Sequence, residues 1–164
     1  MASVEQFLRS KASRTVWSTQ ASASVYDALA IMAYRQVGAL IVVHEGRMAG
    51  IVTERDYARK IVLMERSSRN TPVRDIMTAE VLYVSPRQTT EECMALMTTH
   101  RICYLPVIAA AQVVGIVSIG DLIANQICEQ EQTIRQLEHY IHGSGLQVNQ
   151  SRPMPQRVER LMTP

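Results

Sequence analysis

Two short stretches of this chain place an alcohol three residues ahead of an acid: Thr53-Glu54-Arg55-Asp56 and Ser118-Ile119-Gly120-Asp121. Both follow Gly-Ile-Val, which begins at Gly50 and returns at Gly115, 65 positions on. A hydroxyl and a carboxylate so spaced at a helix start can do two things. They can close a capping box and do nothing more. They can also serve a ligand, because a helix start offers unpaired N–H groups and a positive dipole end that attract phosphate. A carboxylate there can accept from both hydroxyls of a ribose, as the acid does in dinucleotide-binding folds. Either pair alone fits both readings. Two copies that keep the same hydroxyl and the same acid favour the ligand, because a cap by itself is readily rebuilt with other residues.

The elements that must position these pairs are legible on either side of them. Ser24 is placed to cap a helix carrying Val25, Leu29, Ile31 and Met32, which Gly38 should end. The run 39–43 is continuously apolar, as in a strand covered on both faces. Turn residues 44–47 and a return strand over 48–52 follow, and Thr53 opens a helix expected to reach Met64. The second copy repeats this order: a cap at Thr89 or Thr90, a helix over 91–100, strands over 104–108 and 113–117, and a helix from Ser118. Short strands are expected ahead of each copy, at 15–18 and 81–84. A polar linker covers 66–72, and 73–77 reads as one helical turn. On the last helix Ile127, Ile134 and Ile141 stand seven apart, with Ile123 and Leu137 in the same stripe, a seam too short for a free coiled coil but suited to packing on a partner. Gly143 should stop that helix, leaving an extended tail over 144–164.

Composition narrows the function. Apolar residues make up 47% of 164, a globular value, and the longest apolar run is far too short for a bilayer. The N-terminus lacks a basic region leading into an apolar stretch, and three cysteines without a CxxC spacing read as free thiols, so a cytoplasmic protein is expected. A net charge of +2 does not call for nucleic acid. Lys11 and Lys60 are the only lysines among seventeen basic residues. Phosphate-loop, dinucleotide, zinc-protease and nucleophile-elbow motifs are all absent, so no enzyme and no catalytic residue is expected. His139 and His142 stand three apart on a helix, but no further ligand completes a metal set.

The doubled motif, each copy after a helix and an apolar strand, resembles the signature of cystathionine-β-synthase (CBS) domains, and the tandem resembles a small stand-alone CBS pair. That resemblance implies an α/β fold of two β-α-β-β-α repeats packed about a pseudo-twofold axis, with a C-terminal helix added. On this chain the parts would be a segment 1–13, a first repeat 14–68, a linker 69–75, a second repeat 76–128, and a C-terminal helix and tail 129–164. It further implies two clefts for adenosine ligands such as AMP, ADP, ATP, S-adenosylmethionine or NAD, and modules that pair into homodimers. Carried over by position, Asp56 and Asp121 would hold ribose hydroxyls, and Thr53 and Ser118 would lie by the ribose or first phosphate. Gly38, Ala39 and Leu40 would border one adenine, and Tyr104, Leu105 and Pro106 the other. Trp17 and Tyr83 would lie near the bases.

The chain departs from the family where Cys103-Tyr104 stands in place of the usual Arg-His, with Arg101 as the nearest substitute cation. Arg55 faces Gly120 of the other copy, so the two sites should be unequal, with an anionic tail drawn to the first repeat. Arg59 and Lys60 read as a solvated helix face. The expected function is a regulatory module that binds an adenosine nucleotide, AMP first, and reports energy or redox state to an unidentified partner protein. The competing reading is a structural or nucleic-acid adaptor with no nucleotide ligand.

Overall fold

The computed structural model describes residues 2–11 and 15–142; Gly143 and the tail 144–164 lie outside the described residues. The chain divides into a first unit reaching Gln126 and a second beginning at Ile127. In the first unit, α1 (Val4–Ser10), β1 (Ser18–Gln20), α2 (Val25–Arg35), β2 (Ala39–His44), β3 (Arg47–Thr53) and α3 (Glu54–Tyr57) come in order. A π-helical turn over Ala58–Val62 prolongs α3, and a 3₁₀ turn covers Val73–Asp75. Next come α4 (Thr90–His100), β4 (Tyr104–Ala109), β5 (Gln112–Ser118) and the start of α5 (Ile119–His142). This is the mixed α/β architecture of two repeats that the sequence predicts.

The repeat is exact in register. Ala39 pairs with Thr53 across β2 and β3, and Tyr104 pairs with Ser118 across β4 and β5. Each hairpin bulges at the same place, at Val42/Val43 and at Val107/Ile108. Both close through two-residue loops with positive φ at each position, Glu45-Gly46 and Ala110-Ala111, as a type I′ turn needs.

The leading strands differ from expectation. β1 pairs parallel to β2 three residues later than predicted, and Ile41 N donates to Trp17 O at 3.0 Å at its start. The counterpart of Ile41 is Pro106, which has no N–H to donate. The 81–84 stretch therefore keeps a single bridge, Val84 to Val107, and forms no strand. Nor does Gly38 end α2. Gln36 does, in the left-handed conformation, with Val37 N donating to Met32 O. Arg101 closes α4 in the same way.

Each repeat's core includes the element that precedes the other repeat. Val25, Met32, Leu40 and Val52 pack with Val73 and Ile76 from the 3₁₀ turn region. Cys93, Met97, Leu105 and Leu122 pack with Val4, Phe7 and Leu8 of α1. A side chain at Gly115 would lie 2.7 Å from a Leu8 methyl, so the glycine of the second Gly-Ile-Val makes room for α1. Burial holds the Cys93 thiol up at about 11, helped by the Glu92 charge, which makes it an inert core group.

Candidate functional site

A cleft of about 570 Å³ opens where α3 begins, large enough for a small ligand. Gly38, Thr53, Arg55 and Asp56 of the first repeat line it, joined by Arg59 and Lys60. Thr78, Val81 and Leu82 close it from the leading segment of the second repeat, and Arg101, Cys103 and Tyr104 from the same repeat further on. Residues expected at two sites thus meet in one.

The local chemistry begins with the cap. Thr53 Oγ1 accepts from Asp56 N at 3.2 Å, while Thr53 N and Thr53 Oγ1 donate to Asp56 Oδ2 at 3.0 and 2.9 Å. Lys60 donates to Asp56 Oδ1 at 2.8 Å and to Ile76 O at 2.6 Å. The capping box therefore exists, and the acid is turned towards its own backbone. A carboxylate offers about four acceptor directions. Three are filled here, which leaves one on Oδ1, in a side chain that is 13% exposed.

Arg55 spans the cleft. Its guanidinium donates to Arg101 O at 2.6 Å and to Cys103 Sγ at 3.2 Å, which ties the start of α3 to the second repeat. Arg55, Arg59 and Arg101 also line an adjoining depression of about 350 Å³. Arg59 is exposed, as a solvated face requires, and borders both hollows; Lys60 departs from that reading in part, since it bonds Asp56 and Ile76 O while its side chain stays 42% exposed. Tyr104 lies over Gly38, where any side chain would strike its hydroxyl. Burial, and then the Glu54 charge, raises the Tyr104 phenol, so it stays a protonated donor through the neutral range.

The other expected residues are placed elsewhere. Ala39, Leu40, Leu105 and Pro106 are buried in strands behind the cleft. Trp17 packs at the edge of the first core, with the Arg35 guanidinium 3.8 Å over its ring. Tyr83 is 60% exposed. Ser118 caps α5 by accepting from Asp121 N at 3.1 Å, and Lys11 donates to Asp121 Oδ2 at 2.7 Å. Burial raises the Asp121 carboxyl, but bonds from Lys11 and Ser118 and the lysine charge outweigh it, leaving it below the usual carboxylate value. Thr78 carries no signal in the sequence, whereas Val81 and Leu82 fall in the expected strand 81–84, of which only Tyr83 is expected near a base. Lys60 had one: the chain holds only two lysines, and each bonds one of the paired aspartates. Among the described residues there is no group of three or more potential metal ligands, and no helix is long and apolar enough to cross a membrane.

This duplicated arrangement has counterparts among known proteins. The CBS-domain family matches twice, at residues 8–63 and 73–127. The chain belongs to the CBS-domain family. Such pairs are in general regulatory modules that bind adenosine ligands and are typically not enzymes. The CBS domain-containing protein CBSX3, mitochondrial, of Arabidopsis thaliana is 44% identical over 125 residues, 73% of this chain and 61% of its own length. The CBS domain-containing protein YhcV of Bacillus subtilis is 34% identical over 107 residues, 65% of this chain and 76% of its own. A solved CBS-domain protein of Burkholderia ambifaria, whose name ascribes it to signal transduction, is 51% identical with a TM-score of 0.76. That match covers 79% of this chain and 96% of the other.

Proposed function

We propose that this CBS pair is a cytoplasmic, homodimeric sensor that binds an adenosine nucleotide in the cleft at α3, AMP first and otherwise ADP, ATP or NAD(H), and reports energy or redox state to a regulated protein. The observation that carries this reading is the open cleft of about 570 Å³ beside a carboxylate with one acceptor direction left. The apolar walls Ile51, Val81 and Leu82 suit a flat base. Asp56 would take a ribose hydroxyl on Oδ1. Arg55, Arg59 and Arg101 would face the phosphates from the adjoining depression.

A ligand works as a switch only if it binds one form more tightly than another. Arg55 supplies such a difference. A phosphate drawing its guanidinium away from Arg101 O and Cys103 Sγ would release a tie between the repeats. The tied and released forms would then offer different surfaces to a partner.

Thermal melts test the reading. At one hundred times its dissociation constant a ligand adds about 2.7 kcal/mol. For a chain of this length the midpoint should rise by roughly 5–10 °C. That rise is expected with AMP or a related adenosine compound, and it should be much smaller in Asp56→Ala. A melt unmoved by every adenosine compound but raised by RNA or DNA would establish the adaptor reading in its place.

A further inference from the structure

On α5, Ile123, Ile127, Ile134, Leu137 and Ile141 are 48%, 53%, 52%, 58% and 57% exposed and recur as an aliphatic stripe along the helix. From Ile127 onward the helix forms a unit of its own, and in proteins a helix draws most of its stability from packing an apolar face. With Ile127, Ile134 and Ile141 at the a positions of a heptad, Ile123, Gln130 and Leu137 fall at d. Isoleucine at a with leucine at d favours two parallel strands, a pattern met in full at Ile134, Leu137 and Ile141, while the other d positions hold Ile123 and Gln130.

The residues beside the stripe select the partner. Position e holds Ala124, Glu131 and Glu138, and position g holds Gln126, Thr133 and Tyr140. In a parallel pair of identical helices each g residue meets an e residue of the other strand, so the glutamates meet Gln126 and Thr133 and no like charges touch. In an antiparallel pair e meets e, and glutamate would face glutamate. Gln130 adds a second selection. A lone amide in an apolar seam needs an opposing polar group, and an amide, being both donor and acceptor, is satisfied by its own counterpart across a twofold axis. A second copy of this chain guarantees that counterpart.

We infer that α5 forms a parallel two-stranded seam with α5 of a second copy, through Ile127, Ile134, Leu137 and Ile141 with Gln130 setting the register. The inference rests on the homodimer proposed above and names the surface that holds it. Sedimentation equilibrium on the full chain, over a concentration series, is the first test. The chain should be dimeric, and Ile134→Asp, an exposed position that the monomer's fold does not use, should weaken the dimer at least about tenfold. Orientation is tested with Leu137→Cys in a Cys128→Ser background, which on mild oxidation should yield a dimer cross-linked through position 137. A chain that stays monomeric throughout overturns both homodimer and seam. A dimer indifferent to Ile134→Asp and lacking the cross-link keeps the homodimer and overturns the seam.

Discussion

Replacing Gly38 by alanine should strain the cleft at a point where the two repeats touch. The added methyl would fall on the Tyr104 hydroxyl, 3.2 Å from Tyr104 Cζ and 3.3 Å from Glu54 Oε2. Glu54 is exposed and can swing away. The tyrosine cannot move as freely, because it begins β4 and is paired to Ser118. Overpacking of this kind costs about 1–3 kcal/mol. In a chain of this length that is a fall in midpoint of roughly 3–10 °C.

The clash is chiefly with the phenolic oxygen, so a second substitution isolates it. Tyr104→Phe alone should be mild, under about 1 kcal/mol, since the hydroxyl donates to none of the described residues. In Gly38→Ala/Tyr104→Phe much of the strain should disappear, giving a coupling of about 1 kcal/mol or more by urea denaturation. Additivity within about 0.3 kcal/mol would refute the placement of Tyr104 over Gly38, and with it the meeting of the two repeats in one cleft.

Other perturbations test the surrounding frame. Phe7→Ala should cost about 3–5 kcal/mol in urea denaturation, because Phe7 is 5% exposed within the second repeat's core; a loss under about 1 kcal/mol would show that α1 packs elsewhere. Lys11→Met should destabilise the chain at neutral pH. Because the folded Asp121 carboxyl lies below its usual value, that stabilisation is complete above about pH 4 and fades as pH falls through the lowered value. The gap between parent and variant urea midpoints should therefore close on the acid side, and a constant gap would separate Asp121 from Lys11. Ala111→Gly should raise the melting midpoint, as the alanine holds φ at +61° where its counterpart Gly46 sits at +75° without a Cβ penalty. An unchanged midpoint would mean that the loop carries no such strain.

Much of this fold is legible in the residues themselves, for identifiable reasons. Continuous apolar runs mark β2 and β4, and Ser24, Thr53 and Thr89 announce the helices they cap. Such signals are local. What escapes the sequence is contact over distance. α1 is seven residues long, too short for periodicity to show, and its partners Val107 and Leu122 lie a hundred residues away. The role of Gly38 escapes for the same reason: a glycine after a helix suggests a cap, yet Gln36 is the cap and Gly38 is small because of Tyr104. Pro106 is the opposite case. Its missing N–H is plain in the sequence, but its effect on 81–84 needs the register between the strands.

Capping, one of the two roles posed from the sequence, is the one that Asp56 fills in the structure, and it leaves the proposed ribose contact a place on the same carboxylate. The cap uses Asp56 Oδ2 and leaves Oδ1 to Lys60 and one further donor. In the second repeat the position matching Lys60 is Asn125, which carries no charge, and the ammonium comes instead from Lys11 at the end of α1. The first acid is therefore neutralised from within its own helical segment, four residues on, and the second from a segment 110 residues away. A ligand at Asp56 would compete with the Lys60 side chain of the same helical segment. A ligand reaching Asp121 competes with the end of α1, whose Val4, Phe7 and Leu8 are committed to the core. Both copies carry the acid, and the two lysines make its surroundings unequal, so the two copies of one motif should not answer a nucleotide alike.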